Sequence, residues 1–302
     1  MKGPAVKASD AIRRKYQSTL LAYVRRMNAE LMRELRRAYA GREDEFLPEE
    51  MVGDASAVVW LKKMVDRFFG RWQNSFDGMA ERYAGWFVRQ TERASSKQIQ
   101  AMLKDIGFTV EFKNSHYVNN IMQATYAENV SLIRSIPERM HGKALGLVTR
   151  GVQAGNDQHF IAVELEKEFD ISQRRARFIA RDQTQKANSS MAMARSAEAG
   201  IEYGFWMHRG GSKVPRPSHS TPESKGGMNG ARFKLSEGLH DPDPKVNREV
   251  KPGELPGCLC AYRPDLSSFR PQMAQDSAII RPLKATYADI MERVAKPVKE
   301  AA

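Results

Sequence analysis

The sequence predicts a mainly helical α+β protein, in which a helical N-terminal region precedes a smaller mixed α/β domain with short strands and a loop-rich C-terminal part. Before residue 105, apolar residues recur every three or four positions over long stretches, which is the spacing of amphipathic helices. Residues 107–112 alternate apolar and polar side chains, which indicates a short half-buried strand. Segment 210–219 is rich in glycine, proline and cations, a composition typical of an irregular loop. We predict three regions: 1–105 helical, 106–270 mixed, and 271–302 a proline-containing tail.

Composition indicates a globular protein without a membrane span. The chain has 302 residues, of which 28% are charged and 41% hydrophobic, as expected of a protein with a substantial core. No apolar run approaches the ~20 residues that a membrane helix needs, and residues 1–7 lack the apolar centre of a secretory signal. The two cysteines are separated by one residue and form no disulfide framework, so a reducing compartment such as cytoplasm is expected.

The net charge of +12 is concentrated in two blocks. Residues 1–40 carry ten Lys and Arg against three Asp and Glu, and residues 171–263 carry sixteen against nine. This distribution predicts contact with a polyanion or an acidic partner; the alternative is an ordinary solvated surface. The residues predicted to contact nucleic acid or a partner are Arg13, Arg14, Arg25, Arg33, Arg36, Arg174, Arg175, Arg181 and Arg216.

The first predicted helix covers residues 11–39 and is amphipathic and basic. Its apolar stripe has helical spacing, and most of the arginines lie off that stripe. The stripe consists of Leu20, Val24, Met27, Leu31 and Leu35. Gly41 is a plausible C-terminal stop. Such a helix would cover phosphates or dock on a neighbouring protein.

An aromatic stripe predicts a second, longer helix across residues 60–86. Its large side chains step by three or four residues, about 3.7 on average, which is close to the period of a straight helix. The members are Trp60, Met64, Phe68, Trp72, Phe76, Met79, Tyr83 and Trp86. The stripe could be a platform on which bases stack, but this regularity favours a buried face packed against other helices.

Further helices are predicted in the middle of the chain and in the tail. One covers Asn119 to about Ile136 and ends at Pro137, because a proline disfavours helical geometry in the residue before it. In the tail, residues 278–294 are predicted to be helical, and the tail is interpreted as a docking arm or a disordered segment.

Two adjacent helices are predicted at 158–169 and 173–199. Ser172 would cap the second helix, and Gly200 would close it. A helix, a short turn and a basic helix together resemble a helix-turn-helix that reads DNA. Short helical hairpins are nevertheless common and are mostly structural.

A structural metal site is a candidate in the last third of the chain. Cys258 and Cys260 are separated by one residue, and His208, His219 and His240 belong to the same presumed small domain. Two cysteines and two histidines satisfy tetrahedral zinc, and Cys258, Cys260 and His219 are the expected ligands. The alternative is a pair of small buried thiols at the end of a strand. Zinc is therefore a possible cofactor, and no other cofactor is indicated.

Catalytic signals are weak, and the sequence predicts a protein that is not an enzyme. Ser218 and His219 are neighbours, but a working serine–histidine pair depends on spatial geometry rather than adjacency. A cysteine with His219 would imitate a thiol protease, yet no local signature accompanies it. The chain has neither a Walker-type phosphate loop nor a His-Glu-x-x-His helix. Arg216, in the loop before His219, would bind a phosphate or carboxylate, or hydrogen-bond to carbonyls of its own domain.

Three blocks of sequence, in order, resemble the phage head morphogenesis family of Mu F-like minor head proteins. The first is the helix 177–188, with sequence RFIARDQTQKAN. The second runs from the strand at Phe205 and Trp206 to the loop 216–219, and the third is 252–260, which contains both cysteines. The resemblance spans roughly residues 118–263.

The resemblance implies a structural minor head protein of a tailed phage or prophage. Such a protein is made in the host cytoplasm and resides in the virion, inside the head near the portal. Its implied partners are the portal protein, a major capsid or scaffolding protein, and packaged double-stranded DNA bound without sequence preference. Its implied role is in head assembly and in DNA packaging or delivery, and the basic composition agrees with phosphate contact. Two rival interpretations are an enzyme of nuclease, protease or toxin type that uses His219 and a cysteine, and a helix-turn-helix DNA-binding protein.

Overall fold

The computed structural model describes residues 1–40, 55–113, 115–153, 158–211 and 214–283, and it confirms the α+β class. Four long helices and one short one accompany seven short strands in these residues. The helices are α1 (Asp10–Ala40), α2 (Ala55–Asp105), α3 (His116–Gln153), α4 (Gln158–Glu198) and α5 (Pro217–Ser220). The strands are β1 (Phe108–Phe112), β2 (Tyr203–Met207), β3 (Arg232–Lys234), β4 (Leu239–His240), β5 (Glu249–Val250), β6 (Ala261–Pro264) and β7 (Ala278–Pro282).

The two N-terminal helices are confirmed. All five members of the predicted α1 stripe are buried. In α2, the predicted aromatic stripe is buried from Met64 to Met79, and Tyr83 and Trp86 are half-buried; the side chain of Trp60 lies outside the described part. The interpretation of this stripe as a packed core face is therefore confirmed. The predicted stop at Gly41 also lies outside the described residues.

Helix α3 contradicts the prediction that Pro137 ends a helix. The helix continues through Pro137 to Gln153. A proline inside a helix removes one backbone hydrogen bond and costs about 3 kcal/mol. Pro137 is buried here, and Ile133, Ile136 and Met140 around it are buried too. Packing of this apolar face offsets the cost, a tertiary effect that local sequence rules do not contain.

Helix α4 contradicts the predicted helix-turn-helix. The chain is helical without a break from Gln158 to Glu198, so the predicted helices 158–169 and 173–199 are one element. Ser172 does not cap a helix, because it lies inside one and is buried, with its hydroxyl 3.8 Å from the Met140 sulfur. Gly200 follows the helix end with φ of 83°, as the predicted terminator requires.

The strands form three small antiparallel sheets among the described residues. The largest has the order β3-β2-β6, with Trp206 opposite Tyr262. The N-terminal segment joins this sheet, since the amides of Gly3 and Val6 donate to the carbonyls of Pro264 and Tyr262. β4 pairs with β5, and β1, which confirms the predicted strand, pairs with β7.

Strand β7 corrects the predicted tail helix. Residues 278–282 are extended and pair with β1, with Ile280 opposite Val110. The β-branched Ile279 and Ile280 favour a strand when a partner strand is present. The remainder of the predicted helix, from 284, lies outside the described residues.

Contacts divide the chain into two compact units that are each discontinuous in sequence. The first unit comprises residues 1–13, 86–126 and the described residues from 181 onward. The second unit comprises Arg14–Gly85 and Ala127–Ala180. The predicted regions 1–105, 106–270 and 271–302 are each contiguous in sequence. The boundaries between the two units differ from the predicted ones and lie inside the long helices. The candidate metal centre belongs to the first unit.

Candidate metal centre

Cys258, Cys260 and His219 meet in one buried group, which we call the Cys–His cluster. Their ligand atoms lie within 4.8 Å of one another. The Nδ1 atom of His219 is 3.4 Å from the Cys258 sulfur and 3.7 Å from the Cys260 sulfur. Two ligands at zinc bond lengths and a tetrahedral angle are about 3.6 Å apart. The cluster thus has the residue types and spacing that hold a metal, as the sequence predicted.

Strand pairing and tight turns position the ligands. Cys260 directly precedes β6, and His208 directly follows β2, so both lie just beyond the paired residues Met207 and Ala261. Cys258 follows Gly257, whose φ of 73° is a left-handed conformation that glycine adopts without strain. His219 lies on the short helix α5, and its ring packs edge-on against Trp206 with ring centroids 5.0 Å apart.

Asp241 orients the histidine ligand. The Nε2 atom of His219 is 2.9 Å from Asp241 Oδ2, so Nδ1 faces the two sulfur atoms. Both side chains are buried, with 3% of His219 and none of Asp241 exposed. Asp241 is itself held by the Asp243 amide, which donates to its Oδ1 atom. A carboxylate behind a histidine is the usual outer support of a metal-binding imidazole, since it fixes the tautomer and raises ligand basicity.

The two thiols divide their protons unequally. A hydrogen bond from Cys260 lowers the pKa of Cys258 to about 4; burial opposes this shift, and His219 adds to it. The hydrogen bond to Cys258, together with burial, raises the pKa of Cys260. Burial alone would lower the pKa of His219, but Cys258 and Asp241 outweigh it and raise that pKa. Without a metal, the cluster therefore favours one thiolate, on Cys258, beside an imidazole whose protonated form is also favoured.

A second histidine borders the cluster. The Nδ1 atom of His208 is 3.7 Å from the Cys260 sulfur, again close to a tetrahedral ligand separation. A cavity of about 20 Å³ lies among His208, His219, Cys258 and Cys260, which is room for one small occupant. His240 lies elsewhere: it is exposed, and its Nδ1 atom is 3.8 Å from Glu249. Of the three histidines considered from sequence, the structure brings two to the thiols.

Helix α4 contacts the cysteine loop, residues 252–260, through polar side chains. Asp182 Oδ1 accepts a hydrogen bond of 2.5 Å from the Gly257 amide, and Gln185 Nε2 donates one of 2.7 Å to the Cys260 carbonyl. Asp182 and Gln185 are three residues apart, so they share one face of the helix. Gly253 packs against the same face, where an added Cβ would approach Gln185 to 3.2 Å. Sequence reasoning did not assign roles to Asp182, Gln185 or Asp241. For Asp182 and Gln185 the available signal was polar residues next to the apolar face of the predicted helix, and for Asp241 no signal was present in the sequence.

The predicted contact arginines separate into three groups. Five are exposed and belong to the second unit: Arg14, Arg25, Arg33, Arg36 and Arg174. Two hold the chain itself, because Arg175 donates to the Ser135 hydroxyl at 2.7 Å and Arg216 donates to the Pro256 carbonyl at 3.0 Å. The carbonyl contact is the structural alternative predicted for Arg216. The remaining two, Arg13 and Arg181, line one pocket of the first unit.

Comparison with known proteins gives one distant relative. No protein-family model matches the sequence, and no solved structure matches it. The chain is 25% identical over 269 residues to a Haemophilus influenzae (strain ATCC 51907 / DSM 11121 / KW20 / Rd) protein described as uncharacterized. The match covers 88% of this chain and 55% of the relative, so the chain spans about half the length of the curated relative it matches. Among the described residues, no helix has the length and apolar character needed to cross a membrane.

Proposed function

We propose that this chain is a structural minor head protein of a tailed phage or prophage. It binds the portal protein and the capsid interior, where it meets the major capsid or scaffolding protein. There it aids head assembly and DNA packaging or delivery. The observation that supports this most is that contacts between residues of the first unit join the three sequence blocks of the family resemblance.

Specific contacts join the three blocks. Asp182 and Gln185 of the first block bind the backbone of Gly257 and Cys260 in the third. Trp206 of the second block packs on His219, whose imidazole faces Cys258. Residues that carry a resemblance and also build one another's surroundings favour a shared folded unit over a chance match of short motifs.

The metal in this unit is proposed to be structural zinc. Cys258, Cys260 and His219 supply three ligands, and His208 supplies the fourth, which completes the Cys₂His₂ set that closes a structural zinc site. Four protein ligands leave no open coordination position for substrate. The zinc would join α5 to β2 and β6. Outside the sheet in which β2 and β6 pair, these three elements share few backbone hydrogen bonds.

Nonspecific DNA contact is proposed for the five exposed arginines Arg14, Arg25, Arg33, Arg36 and Arg174. Guanidinium groups on a helix surface bind phosphates without reading bases. Each neutralised phosphate releases counterions, so binding weakens steeply with salt and discriminates little between sequences. Neutralising two of these residues should lower the dependence of affinity on salt, whatever the duplex sequence.

Coexpression with a candidate portal protein from the neighbouring genes tests the main proposal. We expect the two proteins to copurify, with one zinc per copy of this chain by elemental analysis. A Cys258→Ser/Cys260→Ser variant should lose the zinc, and Arg263→Gln, which alters an exposed residue of β6, is the matched control. A folded, zinc-containing chain that never binds the portal protein would refute the head-protein role and leave the zinc site intact. A portal complex without zinc would refute only the metal assignment.

A thiol enzyme is the second candidate, because Asp241, His219 and Cys258 form a hydrogen-bonded series that resembles a nucleophilic triad. Burial favours metal binding instead, since 4% of Cys258 is exposed and the adjoining cavity of about 20 Å³ admits no substrate. Iodoacetamide separates the two candidates. A structural zinc site should resist alkylation until a chelator is added, whereas a catalytic Cys258 should react at once, with loss of a hydrolytic activity.

A further inference from the structure

Three arginines from separate parts of the chain line one pocket of the first unit. Arg13 lies in the first turns of α1, Arg181 on α4, and Arg209 just after β2. The pocket has a volume of about 150 Å³, equal to the share of about five water molecules in the liquid. We call it the arginine pocket. Its remaining walls are Ala8, Ser9, Asp10, Thr184, Gln185, Gly210 and Leu259.

The charges around the arginine pocket do not cancel. Asp10 is the acidic residue in its wall, and its Oδ1 atom accepts a 3.1 Å hydrogen bond from Arg13 Nε. The side chains of Arg181 and Arg209 have no carboxylate partner in the described part of the chain, and both are half-buried. Three cations against one carboxylate leave a surplus of two positive charges, held in a concave and partly desolvated space.

The start of α1 adds to the positive potential. Asp10 is the first residue of this 31-residue helix, and Asp10 and Arg13 line the pocket, so the helix N-terminus with its backbone amides lies at the pocket wall. Helix N-termini favour anions through these amides and the helix dipole. Ser9 satisfies two of those amides: its hydroxyl accepts from the Ile12 amide at 3.4 Å, and its carbonyl accepts from the Arg13 amide at 3.0 Å. This contribution supplements the three guanidinium groups.

We propose that the arginine pocket binds a phosphate group. One carboxylate is matched by a single bidentate guanidinium, whereas a phosphate offers three or more acceptor oxygens to several donors. The surplus of two charges equals the charge of a phosphate dianion. The group would come either from a phosphodiester of DNA or from a free or terminal phosphate monoester. This inference extends the DNA contact of the proposed function to a particular site, but it needs neither portal binding nor zinc.

The pocket adjoins the Cys–His cluster through the backbone. Arg209 directly follows His208, and Leu259 lies between the two cysteines. Gln185 lines the pocket while its side-chain amide donates to the Cys260 carbonyl. The Arg209 backbone amide also hydrogen-bonds to the Cys260 sulfur, so order at the Cys–His cluster bears on the position of this pocket arginine. Phosphate affinity should be measured on the full chain as purified, with its metal content recorded.

Calorimetric titration of the full chain with inorganic phosphate tests the site, in chloride buffer at fixed ionic strength. We expect saturable binding of one phosphate per chain. Arg181→Gln/Arg209→Gln should weaken it at least about tenfold, because each lost charged hydrogen bond contributes a factor of this order. Arg263→Gln makes the same kind of change on an exposed part of β6 and should leave affinity within about twofold. Circular dichroism of each variant checks that the fold is retained.

Asp10→Asn gives a test of opposite sign. If the pocket holds an anion, removing the carboxylate should tighten phosphate binding by a few-fold. If the pocket takes no anion and Arg13 serves only to hold Asp10, the variant should leave phosphate affinity unchanged. Tighter binding supports the proposal, and unchanged or weaker binding contradicts it.

Duplex DNA with and without 5′-phosphates distinguishes the two sources. Tighter binding of the phosphorylated duplex, lost in the double variant, identifies a terminal monoester as the ligand. Equal binding of both duplexes, displaced by inorganic phosphate, identifies the phosphodiester backbone. The proposal would be overturned if inorganic phosphate gave the same heats as added chloride. It would also be overturned if Arg263→Gln weakened phosphate binding as much as Arg181→Gln/Arg209→Gln does. Failure to copurify with the portal protein would leave these titrations unaffected, so the two proposals fail separately.

Discussion

The first unit contains two buried polar clusters that differ in how their charges are matched. In one, the guanidinium of Arg195 lies 2.6 Å from Glu92 and 2.7 Å from Glu198, and it also donates to the Lys113 carbonyl. In the other, the Cys–His cluster, two sulfur atoms face an imidazole nitrogen around a small cavity. The first cluster supplies its own cation. The second is arranged around a position where an added cation would lie.

The stability that the Arg195 cluster contributes requires no added ligand, whereas that of the Cys–His cluster depends on solution conditions. Buried charges are tolerated only when paired and hydrogen-bonded. In the Arg195 cluster both carboxylates are paired with the guanidinium as soon as the chain folds, although one cation faces two carboxylates and Glu198 Oε1 has no hydrogen-bond partner among the described residues. With the proposed metal in place of the shared protons, the Cys–His cluster would be fully matched, so we expect its contribution to depend on metal, on pH and on the support of Asp241. Four measurements test this contrast between the clusters.

The largest effect is expected from Arg195→Met. Removing one partner of a buried ion pair leaves an uncompensated charge and costs about 3–5 kcal/mol; here Glu198 is fully buried. Urea unfolding should show this loss of free energy of unfolding equally with and without a chelator. Arg263→Met, on an exposed site, should change the free energy of unfolding by less than about 0.5 kcal/mol. A loss below about 1 kcal/mol for Arg195→Met would refute the internal matching of this cluster.

Chelation should act on the other cluster alone. At free zinc about a thousand times the Kd, zinc bound only to the folded state contributes about 4 kcal/mol to the free energy of unfolding. Thermal unfolding of the wild type should therefore shift downward on chelation, and readdition of zinc should reverse the shift. Cys260→Ser should remove the response to both additions. An identical melting temperature with and without chelator would show that no structural metal is bound.

Asp241→Asn should give a smaller, graded effect. Loss of a carboxylate that supports a metal-bound histidine typically weakens metal affinity by about 10–100-fold, equal to about 1.4–2.7 kcal/mol. Competition with a chromophoric chelator measures this change in Kd. Asp243→Asn alters a neighbouring acid whose amide, rather than carboxylate, supports Asp241, so it should retain near-wild-type affinity. Equal affinities in wild type and Asp241→Asn would exclude the orienting role.

Local sequence patterns predicted the elements in which periodicity alone defines a buried face. The α1 stripe and the aromatic stripe of α2 both proved to be buried faces, because a period near 3.6 residues over many turns places every apolar side chain on one side of a helix. The β1 alternation was also sufficient. Pro137 misled because its cost is local whereas the packing that offsets it is tertiary. The tail segment 278–282 misled because β7 depends on β1, a strand far earlier in the chain.

The candidate site was predictable by residue type but not by assembly. Rare residues at a fixed spacing identified Cys258, Cys260 and His219. Nothing in the sequence placed Asp241 behind the imidazole, since that contact depends on the β4–β5 turn. Charge alone likewise could not separate the arginines into three groups. An arginine that is exposed, one that hydrogen-bonds within the chain and one that lines the pocket are the same residue type in the sequence. The convergence of Arg13, Arg181 and Arg209 is a property of the fold.

The pH dependence of the metal-free protein gives the last test, because its slope at each pH isolates one proton. Cys258 has a folded pKa of about 4 against about 8.5 when unfolded. Its contribution to stability is therefore present above the unfolded pKa and is lost as pH falls through about 4. His219 has a raised pKa, so its contribution is present below about 6.5 and is lost as pH rises through the folded value.

From about pH 4 to 6.5 the unfolded pair binds two protons and the folded pair binds one. Stability should rise there by about 1.4 kcal/mol per pH unit, and level off between 6.5 and the raised folded pKa of His219, where the two counts are equal. Urea unfolding of the wild type minus that of Cys258→Ser isolates this slope, and thiolate ultraviolet absorbance should persist down to about pH 4. An absorbance midpoint near 8.5 would mean that the cluster does not stabilise the thiolate, and the contrast with the Arg195 cluster would then lose its electrostatic basis.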